Sequence, residues 1–98
     1  MTIESKKDAS KLTLTITGRL DTSTAPKLEE TLKGSYDGVT ELVFDLKKLE
    51  YISSAGLRVL LSAQKTMNKQ GSMKVTNVCE EIMEIFEITG FTDILTIE

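Results

Sequence analysis

From Lys11 to Leu20 the chain reads KLTLTITGRL, with Leu12, Leu14, Ile16 and Leu20 on one side and threonines and Arg19 on the other. A period of two with β-branched residues predicts a half-buried strand. Asp8-Ala9-Ser10 predicts a turn before it, with Thr2 to Lys7 as the partner strand of a first hairpin. Glu41 to Leu46, ELVFDL, carries a nearly continuous apolar run, the pattern of a strand covered on both faces or at a sheet centre. Between these two runs, Thr22 to Gly34 predicts a short helix. Serine and threonine offer caps, Pro26 falls in the first turn, where a missing N–H costs least, and Gly34 is a natural stop. Leu28 and Leu32, four residues apart, mark its inward face. Strand, helix and strand at this spacing predict a right-handed βαβ unit, its strands from Leu12 and Leu42 parallel.

The second half continues in the same style. Gly56 to Lys69 places Leu57, Leu60, Leu61 and Met67 at helical spacing, and Met73 to Val78 predicts a further strand. Asn77 followed by Glu80 resembles a capping box opening a helix over EEIMEIFEIT, which Gly90 ends. Ile82, Ile85, Phe86 and Thr89 form its expected buried stripe, with the glutamates on the wet side. Asp93 to Ile97 predicts a short closing strand. The expectation is an α/β fold: one domain over residues 1–98, with a mixed four- to five-stranded sheet, about three packed helices, and neither internal repeat nor linker.

Composition narrows what such a domain can do. In 98 residues, 40% are hydrophobic and 28% charged, a globular balance with enough apolar material for one modest core. The net charge is −3, the lysines are scattered, and the aromatics are Phe44, Phe86, Phe91, Tyr36 and Tyr51. There is no basic stripe and no stacking platform, so direct nucleic-acid binding is not expected. No window approaches a membrane span, and MTIESKKDAS has no apolar core for a signal peptide, so the cytoplasm is the expected compartment. The single cysteine, Cys79, cannot form an internal disulfide and reads as a small buried hydrophobe. With no histidine, Ser-His-Asp and Cys-His catalysis are excluded, and there is no Gly-rich phosphate loop. No cofactor or metal is expected.

The remaining candidate chemistry lies around "YISSAGLRVLL", Tyr51 to Leu61. Asp21 follows one predicted parallel strand and Asp45 sits near the end of the next. The helix after Ser53-Ser54 should start at that same sheet edge, where α/β proteins place their functional groups. Taken alone, each residue has a structural role: Asp21 turning into a helix, Asp45 holding loop amides, and Ser53 or Ser54 capping a helix N-terminus. Taken together, two acids and a hydroxyl pair would meet at one edge. No base is present to make the serine a nucleophile, so it is better suited to being modified by another protein. A phosphate there would add roughly −1.5 to −2 charges to a helix start.

The order GRLDTSTAPKL, LVFDL and ISSAGLRVLL resembles the STAS domain, specifically the free-standing anti-sigma factor antagonists, and the resemblance spans nearly the whole chain. It implies a non-enzymatic, monomeric regulator whose unphosphorylated form binds an anti-sigma factor that is also a serine kinase, freeing the sigma factor for transcription. That kinase, with ATP bound on its own side, would phosphorylate the antagonist and break the complex. A serine phosphatase would reset it. The resemblance carries the acceptor onto Ser54, with Ser53 as the alternative. Asp21, Asp45, Ser53, Ala55, Gly56 and Leu57 become its surroundings. Ser53 stands where aspartate is more usual in the family, and Ala55 where serine or threonine is. Two other readings remain from the residues: a constitutive STAS adaptor or scaffold in a signalling or transport assembly, and a metal-dependent enzyme using Asp21 and Asp45.

Overall fold

The computed structural model describes all 98 residues. The strands are β1 (Thr2–Asp8), β2 (Lys11–Leu20), β3 (Glu41–Asp45), β4 (Leu49–Ile52) and β5 (Ser72–Thr76). The helices are α1 (Ala25–Lys33), α2 (Ser54–Gln70) and α3 (Glu80–Thr89), followed by a 3-10 turn over Phe91–Asp93. The sheet runs β1-β2-β3-β5, with β1 antiparallel to β2 and the β2–β3 and β3–β5 pairs parallel, as the strand-helix-strand spacing requires.

Register explains which residues enter the core. Leu12, Leu42 and Met73 share one rung, and Leu14, Phe44 and Val75 another, so alternate residues of three strands form one apolar surface. Leu28 and Leu32 of α1, Leu57, Leu60 and Met67 of α2, and Ile82 and Phe86 of α3 close on it in a single cluster of 23 buried residues. The opposite face carries Thr13, Thr15, Lys74 and Thr76. Val43 lies among them, buried but outside the core cluster. The apolar run of β3 therefore reflects a central strand and not helices on both faces. No helix is long and apolar enough to cross a membrane.

The strand the sequence pattern misses is β4. β2 is ten residues long; its first half pairs with β3, and its last three residues pair with β4, also in parallel. Gly18 faces Leu49 and Arg19 faces Tyr51, so Glu50 is an extra residue on β4. This bulge breaks the alternation that would have marked LEYI as a strand.

Several expected boundaries move. α1 begins at Ala25 because Asp21 first closes a turn through Thr24, and Pro26 does fall in its opening turn. Gly34 ends α1 with an ordinary negative φ of −82°, whereas Gly90 ends α3 in the left-handed conformation at φ 80°. α2 starts two residues before Gly56. β5 stops at Thr76 because Asn77 takes a positive φ of 56°, so the N-cap of α3 is Cys79 and not Asn77. Cys79 is half-buried, its sulfur 3.9 Å from the Leu49 carbonyl. In α3, Ile82 and Phe86 are buried, Ile85 partly so, and Thr89 is exposed with its hydroxyl bonded back to the Ile85 carbonyl at 2.7 Å. The final segment is not a strand: only Ile97 bridges Val75, and the 3-10 turn after Gly90 takes up the preceding residues.

Candidate functional site

The second helix begins where the chain leaves β4, and two contacts fix its start. The Ser53 amide donates to the Leu20 carbonyl at 2.9 Å, pinning the helix entrance to the end of β2. The Ser53 hydroxyl then accepts the Gly56 amide at 3.4 Å, as an N-cap does. Gly56 is buried against the same place. A Cβ there would lie 2.8 Å from both Ile52 Cγ1 and Leu20 Cγ, closer than side-chain carbons approach. Leu57 is buried beside it, and Ala55 is half-buried.

Ser54 is different in every respect. It is the first residue of α2, it is exposed, and its hydroxyl has no hydrogen-bond partner in the protein. The first turn of α2 contains no acidic side chain, so the partial positive charge of the helix start faces outward uncompensated. The two serines thus divide the roles the sequence left joined: Ser53 holds the helix, and Ser54 presents a free hydroxyl.

Asp21 stands beside this entrance, one residue after Leu20, with one carboxylate oxygen heavily engaged. Its Oδ1 accepts from the Ser23 amide at 3.0 Å, the Ser23 hydroxyl at 2.7 Å and the Thr24 amide at 3.2 Å. In return the Asp21 amide donates to Thr24 Oγ1 at 2.8 Å, a reciprocal arrangement like a capping box. These donors, the Ser23 hydroxyl foremost, hold the carboxyl below the usual aspartate range despite partial desolvation. Its other oxygen lies 3.8 Å from Arg19 Nε.

Asp45 does not join the site. It pairs with Thr15, whereas Ile52, two residues before Ser54, pairs with Leu20. Five residues of β2 separate those rungs, about 16 Å at strand rise. Asp45 instead accepts the Lys47 amide at 3.1 Å and the Asn77 side-chain amide at 3.0 Å, tying the β3–β4 turn to the loop after β5. The two carboxylates are too far apart to share an ion, and nowhere do three His, Cys, Asp or Glu side chains gather in a metal-binding group. Of the two acids expected beside the serines, Asp45 lies elsewhere, and Asp21 follows the strand end to which the Ser53 amide is bonded.

Sequence reasoning missed three neighbours. Arg19 lies over the Tyr51 ring at 4.3 Å, a cation–π contact across the β2–β4 pair that depends on the missed strand. A groove of about 370 Å³ runs between α1 and α2 from Thr22 and Pro26 past Ala55 to Glu29 and Ser62. Arg58 lines it, one helical turn beyond Ser54, a spacing that could have been read from the predicted helix.

A five-stranded mixed sheet, three helices gathered on one face and a serine-capped helix start define this chain as a member of the STAS domain family, whose model matches residues 2–98. Among curated relatives, it is 33% identical to the anti-sigma-B factor antagonist of Bacillus subtilis over 96 residues, covering 97% of this chain and 88% of that protein. Among solved structures, an anti-sigma factor antagonist from Mycobacterium paratuberculosis superimposes with a TM-score of 0.88 at 23% identity, covering 98% of this chain and 83% of that one. The phosphorylated form of the Bacillus cell fate determinant SpoIIAA matches with a TM-score of 0.78 at 13% identity, over 99% of this chain and 91% of that one.

Proposed function

We propose that this chain is an anti-sigma factor antagonist switched by phosphorylation of Ser54. The antagonist function is supported by the named relatives, which it matches along nearly its full length. The unphosphorylated form binds an anti-sigma factor through the surface around the start of α2, and the sigma factor is released. It works in the cytoplasm as a monomeric binding protein and not as an enzyme.

The observation that carries the choice of residue is the free, exposed hydroxyl of Ser54 beside the engaged hydroxyl of Ser53. In the phosphorylation step, Ser54 Oγ attacks the γ-phosphorus of ATP held by the anti-sigma factor kinase, and ADP leaves. The hydroxyl proton passes to a base on the kinase, because this chain has no histidine and Asp21 is committed to four donors with a depressed pKa. The added dianion sits next to Asp21 on a surface of small residues, where charge repulsion and desolvation oppose the partner's return. A serine phosphatase restores the hydroxyl by hydrolysing the phosphate ester.

Intact mass after incubation with the cognate kinase and ATP tests this. One added phosphate, absent from Ser54→Ala and retained by Ser53→Ala, is the expected result. No added mass, together with undiminished anti-sigma factor binding by Ser54→Asp, would leave the constitutive scaffold as the function.

A further inference from the structure

Arg58 is an exposed arginine on α2 that takes part in none of the four ion pairs of the protein and makes no side-chain hydrogen bond. It is four residues beyond Ser54 on the same helix, so the two Cβ atoms are about 5–6 Å apart on one face. Helical side chains lean toward the N-terminus and long ones lie back over the preceding turn, which directs the guanidinium toward Ser54 and not away from it. An anion N-terminal to a cation at this spacing is also the favourable order on a helix.

We propose that Arg58 is an intramolecular clamp for the phosphate on Ser54, folding over it across the mouth of the α1–α2 groove. The proposal rests on Ser54 as the acceptor and adds what the modified state does next. Arg58 supplies a planar pair of N–H donors that matches two phosphate oxygens, a geometry a lysine cannot reproduce. The clamp changes the groove as well as the helix start. The free cation that lines it beside Ala55 and Glu29 becomes committed to the phosphate, so the surface offered to a partner differs in charge at two places.

The charged groups on the surrounding elements leave Arg58 available for this. Asp21 is bound by Ser23 and Thr24 with Arg19 beside it, Glu29 on α1 pairs with Lys33 at 3.5 Å, and Glu50 on β4 is exposed. None of them holds Arg58.

The test uses full-length protein carrying phosphoserine at position 54, inserted during synthesis so that no kinase is needed. Phosphorus NMR then follows the second ionisation of the phosphate, which lies near 6 when unperturbed. The expected result is a midpoint roughly 0.2–0.4 unit lower in the parent protein than in Arg58→Gln, with Arg58→Lys between them. The Arg58 Nε–Hε resonance should move across the same pH range. Coincident titrations of the parent protein and Arg58→Gln, or a guanidinium signal indifferent to the phosphate, overturn the clamp. Because the helix start acts equally in all three proteins, it cancels from the comparison. A failed clamp leaves the kinase labelling of Ser54 untouched, and failed labelling leaves the titration untouched, so the two readings fall separately.

Discussion

The hydroxyl of Ser53 accepts the amide of Gly56 at 3.4 Å, so the first turn of α2 is held by the serine that precedes the helix and not by the one that opens it. The consequence is separable in two variants. Ser53→Ala removes an N-cap and should lower stability by about 0.5–1 kcal/mol, while leaving phosphorylation intact. Ser54→Ala removes a hydroxyl that touches nothing and should stay within about 0.5 kcal/mol of the parent, while abolishing phosphorylation. Urea unfolding and intact mass on the same pair of variants check both halves.

Gly56 is required for a reason that helix propensity opposes. Alanine would favour the helix by about 1 kcal/mol. Its Cβ would nevertheless meet Leu20 Cγ and Ile52 Cγ1 at 2.8 Å and the Leu20 carbonyl at 3.0 Å, where β2, β4 and α2 converge. Gly56→Ala should therefore be destabilising by about 1–3 kcal/mol in chemical denaturation. A neutral or stabilising result would mean that α2 can lift from the strand end at little cost.

Asp21 predicts a defined pH dependence. Its folded pKa is depressed, first by the Ser23 hydroxyl, so its stabilising effect is fully present above the ordinary aspartate range. That effect is lost as pH falls through the folded value. The stability gap between the parent and Asp21→Asn should be constant from neutrality down to about pH 5 and shrink below pH 4. Denaturation midpoints measured across that range would show it, and a gap that widens on acidification would contradict the assignment.

Asp45 should behave as a structural residue. Asp45→Ala removes acceptors for the Lys47 amide and the Asn77 side chain, costing about 0.5–1 kcal/mol because the partners are exposed. Phosphorylation of Ser54 should proceed at the parent rate, since the register sets the two residues far apart. A large loss of labelling in a folded Asp45→Ala protein would show that the kinase itself reaches across both positions.

Much of this architecture was readable from periodicity. β2 alternates as its sequence does, α1 buries Leu28 and Leu32, and α2 buries Leu57, Leu60 and Met67 while Leu61, also expected inside, is only half-buried. Strand length was not readable, and the main error in the site follows from it. Both acids lie at or just beyond C-terminal strand ends, but β2 outruns β3 by five residues, which moves Asp45 away from Asp21. The missing strand has the same origin. Leu49–Ile52 forms because the unpaired end of β2 needs a partner, while its own pattern, buried only at Leu49 and Ile52, gives no period of two. Asn77 and Cys79 exchanged places as cap because the backbone of Asn77 turns left-handed, a tertiary outcome that Asp45 helps to fix. The identity of the free serine likewise depends on the Ser53 amide donating to the Leu20 carbonyl and the Ser53 hydroxyl accepting from the Gly56 amide, which adjacent identical residues cannot disclose.

The handover on β2 from β3 to β4 has a mechanical meaning. Thr13 to Thr15 sit between two hydrogen-bonded neighbours, β1 and β3, whereas Gly18 to Leu20 have only β4 beside them, through three pairings interrupted by a bulge. The serine end of the sheet therefore hangs on fewer main-chain pairings than its centre, and the packing of Gly56 against Leu20 and Ile52 supplies the rest of its hold. Exchange of the Leu20, Ile52 and Ser53 amides with solvent should accordingly outpace that of Leu14 and Phe44.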